Sequence, residues 1–218
     1  MSGQSVPLAA PSEDAALIRA AAALGLALAP ADAARLLRLL DELARWNQRF
    51  NLTAIESRER MITHHLLDSL AVHGELQGER VADVGTGAGF PGLPLALINP
   101  ERRFTLIDSN GKKIRFVAHA ARTLGLANVE PLQARVESLA PAQPFDTVIA
   151  RAFAPLPKLL AWVAPLCGPH TRVLAMKGRW PEGELAALPA DWQLAGSHAL
   201  AIPALEEERH LLVLTSAP

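Results

Sequence analysis

The chain has 218 residues, half of them hydrophobic, with a formal net charge of −1, which suits one large domain or a domain with an extension. Arg, Asp, Glu or His interrupts every apolar run, so no membrane span is expected, and residues 1–11 lack the basic start and apolar core of a secretory signal. One cysteine, Cys167, excludes an internal disulfide and points to the reducing cytoplasm, and the near-zero charge leaves any nucleic-acid binding to a local patch.

Residues 1–11 are small and Pro-containing and are expected to be disordered. Ser12, Glu13 and Asp14 open a helix along Leu17, Ala21 and Leu24, which Gly25 stops. A second helix follows Pro30, with Leu36, Leu39, Leu40, Leu43 and Trp46 at helical spacing, and Trp46 to Thr53 breaks that pattern. Ser57 starts a third helix through Ile62, Leu66 and Leu70. Residues 12–75 therefore read as an N-terminal helical extension, and 76–218 as the main domain, packed with it as one unit.

From there strands and helices alternate. Strands are expected at 81–84, 103–107, 128–132, 147–150 and 172–176, with helices at 92–98, 111–124, 156–166 and 182–188. Residues 192–202 and 209–215 read as a closing antiparallel pair. Such alternation implies an α/β fold with a doubly wound, Rossmann-like sheet that binds ligands at the carboxyl ends of its strands.

The first strand leads into Asp83-Val84-Gly85-Thr86-Gly87-Ala88-Gly89-Phe90-Pro91-Gly92, with four glycines in eight residues. Glycines there let the backbone turn sharply and approach a ligand closely. Asp108 ends the second strand, where a carboxylate accepts hydrogen bonds from ribose hydroxyls. Gly87-x-Gly89-x-x-Gly92 fits a dinucleotide fingerprint, yet Asp83 would face a pyrophosphate, and Pro91 and Pro94 remove amides that should hold one. S-adenosylmethionine fits better, because its ammonium suits Asp83 and it has no phosphate to cradle.

Further polar groups fall at strand ends: Arg135, Val136 and Glu137 after the third, Arg151 after the fourth, Lys177 after the fifth. Val136 and Glu137 are placed to contact an adenine face and its amino edge. Lys112, Arg115, His119 and Arg122 form a stripe whose ordinary reading is a solvated helix face. Lys112 and Lys113, in the first turn, oppose the helix dipole and are the better candidates for RNA phosphates. No metal is expected, since His64, His65 and Asp68 lack further supporting ligands; His65 with Asp68 reads as a polar seam between extension and main domain.

With these motifs in place, the sequence resembles the small-subunit ribosomal RNA guanine-N7 methyltransferases, the RsmG (GidB) family. The resemblance runs from Trp46 to the C-terminus through Trp46-Asn47, Asn51-Leu52-Thr53, His65-x-x-Asp68-Ser69, the glycine segment, Asp108-Ser109-x-Gly111-Lys112-Lys113, Arg135-Val136-Glu137, Arg151-Ala152-Phe153, Lys177-Gly178 and Arg209-His210-Leu211. Residues 1–30 carry none of it. It implies a class I S-adenosylmethionine-dependent methyltransferase fold of seven strands, methylating a guanine in the 530 loop of 16S rRNA, nucleotide 527. The implied partner is the small ribosomal subunit or an assembly intermediate, with no membrane and no obligate protein partner.

Gly85, Phe90, Val136, Glu137 and Arg151 match the family's cofactor positions, beside Asp83, Gly87, Gly89 and Asp108. Lys112, Lys113, Arg135, Lys177 and Arg209 are the cations expected at RNA. The chemistry points the same way. The place after the fourth strand reads Ala150-Arg151-Ala152-Phe153, unlike the Asn/Asp-Pro-Pro-aromatic segment of exocyclic-amine methylases, and Cys167 is badly placed as a pyrimidine nucleophile. Guanine N7 needs neither, so Arg151 is expected to position reactants and no general base is expected. A small-molecule methyltransferase, an NAD-dependent oxidoreductase and a non-catalytic RNA-binding protein remain the alternatives.

Overall fold

The structure is a computed structural model and describes residues 12–217; the expected disorder of residues 1–11 lies outside the described residues. Helices α1 (Glu13–Ala23) and α2 (Pro30–Phe50) come first. A continuous helical run follows: α3 (Arg58–Met61), a π-helical stretch (Ile62–Leu67) and α4 (Asp68–Leu70). The alternating part is β1 (Arg80–Val84), α5 (Gly92–Ile98), β2 (Arg103–Asp108), α6 (Gly111–Thr123), β3 (Val129–Gln133) and β4 (Phe145–Arg151). It ends with α7 (Leu156–Val163), β5 (Cys167–Lys177), α8 (Glu182–Ala186), β6 (Trp192–Ala199) and β7 (His210–Ser216).

The seven strands form one sheet in the order β3-β2-β1-β4-β5-β7-β6. β1 to β5 run parallel, and β7 is antiparallel to both β5 and β6. The order reverses at β1, so β1 and its neighbour β4 flank the switch point where this topology opens a crevice. β1 is central and covered on both faces, which is why Val81, Ala82 and Val84 are apolar without alternation.

The extension shares the core of one sheet face. Leu36, Leu39, Leu40 and Leu43 of α2 are fully buried, in one apolar cluster with Leu66 and Leu70 and with Phe104, Phe116 and Val117 of the sheet side. Leu159, Leu160 and Val163 of α7 cover the opposite face with Val148 and Val173.

Of the boundaries that differ from expectation, those of α2 and β5 have clear physical reasons. α2 does not break at Trp46 but runs to Phe50, because Trp46 packs on Phe116 of α6 and Asn51 takes the left-handed conformation that ends it. Asn47 then accepts a hydrogen bond from the Thr53 amide at 2.9 Å, folding the next turn back on the helix. β5 begins five residues earlier than the apolar run suggests, since backbone pairing with β4 at Phe145 recruits Cys167.

Candidate active site

The glycine turn follows β1, with Gly85, Gly87 and Gly89 all at positive φ, a region that disfavours other residues. Asp83 holds this turn from inside. Its Oδ2 accepts hydrogen bonds from Thr86 Oγ1 at 2.6 Å and from the Gly92 amide at 2.8 Å, which opens α5. Sequence placed Asp83 facing a ligand; instead it is buried, and its Oδ1 has no partner. Burial pushes its carboxyl up to about 6, against the two hydrogen bonds that favour the anion.

Asp108 stands across the turn. Its Oδ2 accepts from the Gly87 amide at 3.0 Å, its Oδ1 from the Asn110 amide at 2.8 Å, and Lys113 Nζ is 3.9 Å away. Two hollows meet at Gly85. One, of about 500 Å³, is lined by the extension (Thr53, His65, Asp68), the glycine turn, Arg151, Lys177 and Arg209. The other, of about 130 Å³, is lined by Asp108, Val136, Glu137, Phe153 and Trp162. The Phe153 ring lies over Gly85, where an added Cβ would meet it at 2.2 Å. A further hollow of about 600 Å³ lies at the amino ends of β2 and β3, away from every site residue.

The crevice wall is an ionic seam. Arg151 Nη1 donates to Asp68 Oδ2 at 2.8 Å and to the His64 carbonyl at 2.7 Å, while Arg209 Nε lies 3.3 Å from Asp68 Oδ1. The His65 ring stacks on Phe90 with centroids 4.7 Å apart, and its Nε2 meets Thr53 Oγ1 at 3.1 Å. The polar seam expected at His65 and Asp68 is therefore present, and it joins the extension to β4 and to the segment before β7.

Burial first, then the charge of Arg151, pushes the His65 pKa down to about 3. The folded ring stays neutral where the unfolded chain binds a proton near 6.5, so stability is lost as pH falls from about 6.5 toward about 3. Asp83 acts oppositely: the fold keeps its proton up to about 6 while the unfolded carboxyl loses it near 3.8, so stability falls as pH rises through that window. Subtracting the unfolding free energy of His65→Leu from that of wild type isolates the first effect. That difference should fall by about 3 kcal/mol between about pH 7 and about pH 4. A pH-independent difference would mean that His65 titrates normally.

A family model described as rRNA small subunit methyltransferase G matches residues 32–212. The protein of that name from Methylococcus capsulatus is 53% identical over 180 residues, covering 83% of this chain and 87% of its own. The chain belongs to the rRNA small subunit methyltransferase G family. The relative from Pseudomonas paraeruginosa is 47% identical over 200 residues, covering 91% of this chain and 93% of its own. Among solved structures, an S-adenosylmethionine-dependent methyltransferase from Aquifex aeolicus matches with TM-score 0.56 at 18% identity, over 76% of this chain and 97% of its own. TrmN from Thermus thermophilus matches with TM-score 0.56 at 21% identity, over 78% of this chain and 53% of its own. This is the fold of S-adenosylmethionine-dependent methyltransferases, and S-adenosylmethionine is its cofactor.

The residues fit that cofactor. The glycine turn brings bare backbone at Gly85 to the join of the two hollows, Asp108 presents a carboxylate beside it, and the crevice offers both cationic and apolar walls. Of the cofactor positions expected for this family, Gly85, Gly87, Phe90 and Arg151 line the larger hollow, and Gly85, Asp108, Val136 and Glu137 the smaller. Val136 packs its side chain into the core beside α7, and Gly89 packs against Leu93.

The five expected RNA cations divide. Lys112 is exposed, and Arg135 is exposed with only a 3.7 Å contact to Glu137. Lys113 lines the crevice. Lys177 is bound to Glu184 at 2.7 Å and to the Ala154 carbonyl, and Arg209 to Asp68, so both brace the wall rather than face solvent. Sequence reading passed over Thr53, Phe153 and Trp162 as lining residues. An aromatic two places beyond Arg151, at the end of a switch-point strand, was the signal for Phe153.

Proposed function

We propose that this protein transfers the methyl group of S-adenosylmethionine to N7 of a guanine in 16S rRNA, with no protein group acting as base. The observation that carries the reading is the state of the titratable groups around the crevice. His65 is buried, neutral and stacked; Asp68 is held by two arginines; Lys177 is bound to Glu184. His64 is engaged at both nitrogens, by Thr63 and Glu207. Cys167 lies elsewhere, its thiol pushed up to about 12 by burial. A reaction needing proton abstraction or a thiolate has no support among these described residues.

The bound cofactor supplies an electrophilic sulfonium methyl. Guanine N7 carries its lone pair in the ring plane and loses no proton on attack, so the chain has only to bind, orient and exclude water. Asp108 is assigned to the ribose, Val136 and Glu137 to the adenine, and the close backbone at Gly85 and Gly87 with Arg151 to the amino-acid end. Lys112, Lys113 and Arg135 are assigned to phosphates. A guanidinium bidentate to O6 and N7, the commonest arginine–guanine contact, is excluded because N7 must stay free.

Mass mapping of 16S rRNA from cells lacking the protein, before and after treatment with it and S-adenosylmethionine, tests the reading. A 7-methylguanosine at nucleotide 527 of the 530 loop is expected. A methyl on another atom, or none, would overturn it. The single-turnover rate should be flat from about pH 7 to about pH 9, since N7 loses no proton on attack and needs no base; an ascending limb removed by one substitution would reject the base-free mechanism.

Arg151→Lys keeps a cation for Asp68 but loses the planar fork, so turnover should fall roughly a hundredfold with a shift of only a few degrees in Tm. Full turnover in that variant, or activity lost only in proportion to stability, would remove Arg151 from the reaction.

A further inference from the structure

α2 and α6 lie side by side and antiparallel. Arg35 reaches the Leu124 carbonyl at 2.7 Å, Glu42 meets His119 at 2.9 Å, and Trp46 packs edge-on to Phe116 at 5.6 Å. The last turn of α2 therefore sits beside the amino-terminal half of α6. There Phe50 is 37% exposed, with its ring 5.2 Å from that of Trp46. A hollow of about 630 Å³ lies over these two rings, flanked by Arg45 and Arg49.

Packing alone does not account for this arrangement. Trp46 already staples α2 to α6 through Phe116 and His119, whereas Phe50 contributes an outward ring. The surround is cationic: Arg45, Arg49, Lys112 and Arg115 are all exposed. The nearby carboxylate, Glu42, is buried and already bound by Arg45 and His119, and Asp41 is paired with Arg58 at 2.9 Å. In a chain of net charge −1 this is a local concentration of positive charge around an aromatic ring. Such a combination suits single-stranded nucleic acid, whose bases stack on aromatics while its phosphates meet arginines.

The face also adjoins the reaction site. Directly after Phe50 the chain turns at Asn51, and Leu52, Thr53 and Ile55 line the 500 Å³ crevice, which Lys113 of α6 also lines. We propose that single-stranded rRNA flanking the target guanine docks on this face, with one base stacked on Phe50 and phosphates at Arg45, Arg49 and Arg115. This rests on the rRNA reading above and extends it to a second contact outside the crevice.

The test uses the full chain and unmarked 16S rRNA, deproteinised or in small subunits, whichever the wild type methylates. Phe50→Ala should lower affinity roughly tenfold, and Phe50→Trp should retain it, because stacking needs only an aromatic face. The double variant Arg49→Gln, Arg115→Gln, at two exposed arginines, should flatten the slope of log affinity against log salt by about 1.4. Cofactor affinity and Tm should stay at wild-type values throughout. Ultraviolet irradiation should join the Phe50 peptide to a nucleotide.

Wild-type rRNA affinity in Phe50→Ala overturns the platform, and so does a loss of affinity matched by a loss of Tm. A crosslink to a ribosomal protein instead of RNA would assign the face to a protein partner and overturn it too. If the wild type itself neither binds nor methylates rRNA, the rRNA reading fails first, which separates the two failures.

Discussion

Gly85→Val should abolish S-adenosylmethionine binding, lowering affinity more than a hundredfold in calorimetry. The position has φ +68, where a side chain costs roughly 1–2 kcal/mol and a β-branched one more. Its first carbon would also stand 2.2 Å from the Phe153 ring, which packs on Trp162 at 5.5 Å and cannot simply swing aside. Gly85 is shared by both hollows, so anything placed there blocks the join between the hollow proposed for the amino-acid end and the one proposed for the adenosine end. Combining Gly85→Ala with Phe153→Ala separates the causes: it should recover stability by removing the clash but not recover binding. Wild-type affinity in Gly85→Val would sink the site assignment.

Asp68→Ala should destabilise the fold by roughly 3 kcal/mol, lowering Tm by about 6–12 °C in a chain of this size. One buried carboxylate balances two arginines, Arg151 from β4 and Arg209 from the segment before β7, whose side chains are only 23% and 20% exposed. Removing it leaves two partly desolvated cations facing each other, and the penalty comes from that uncompensated charge more than from the lost attraction. Asp68→Asn keeps the shape and one acceptor, and should lie between. Both variants should also weaken S-adenosylmethionine binding, because Arg151 loses the partner that orients it. A Tm unchanged in Asp68→Ala would show that the two arginines are balanced elsewhere.

The α/β alternation was legible because each strand is a short apolar run bounded by turn residues and each helix an apolar stripe, patterns written into consecutive residues. The glycine turn was legible for a related reason: positive φ at Gly85, Gly87 and Gly89 restricts residue type strongly enough to mark the chain itself. Asp108 was readable as a carboxylate beside that turn, since the register of β1 with β2 follows from the β-α-β unit. The end of α2 was not legible, because Trp46 continues the helix only by packing on Phe116, seventy residues away.

Side-chain direction was decided by the tertiary structure alone. Asp83 and Asp108 look alike in sequence, each an acid at a strand end. Yet Asp83 is turned inward onto Thr86 and Gly92, while Asp108 remains at the hollow's edge. Lys112 and Lys177 are both cations near strand ends, but a helix surface leaves the first free and Glu184 of α8 captures the second. The same holds for Arg151, whose partner Asp68 lies eighty-three residues earlier. The sequence by itself determined the fold class, the glycine turn and the family, because backbone conformation and apolar spacing constrain nearby residues. Only the folded structure decided which charges pair and which stay available, because ion pairing depends on distances between segments that no local pattern encodes.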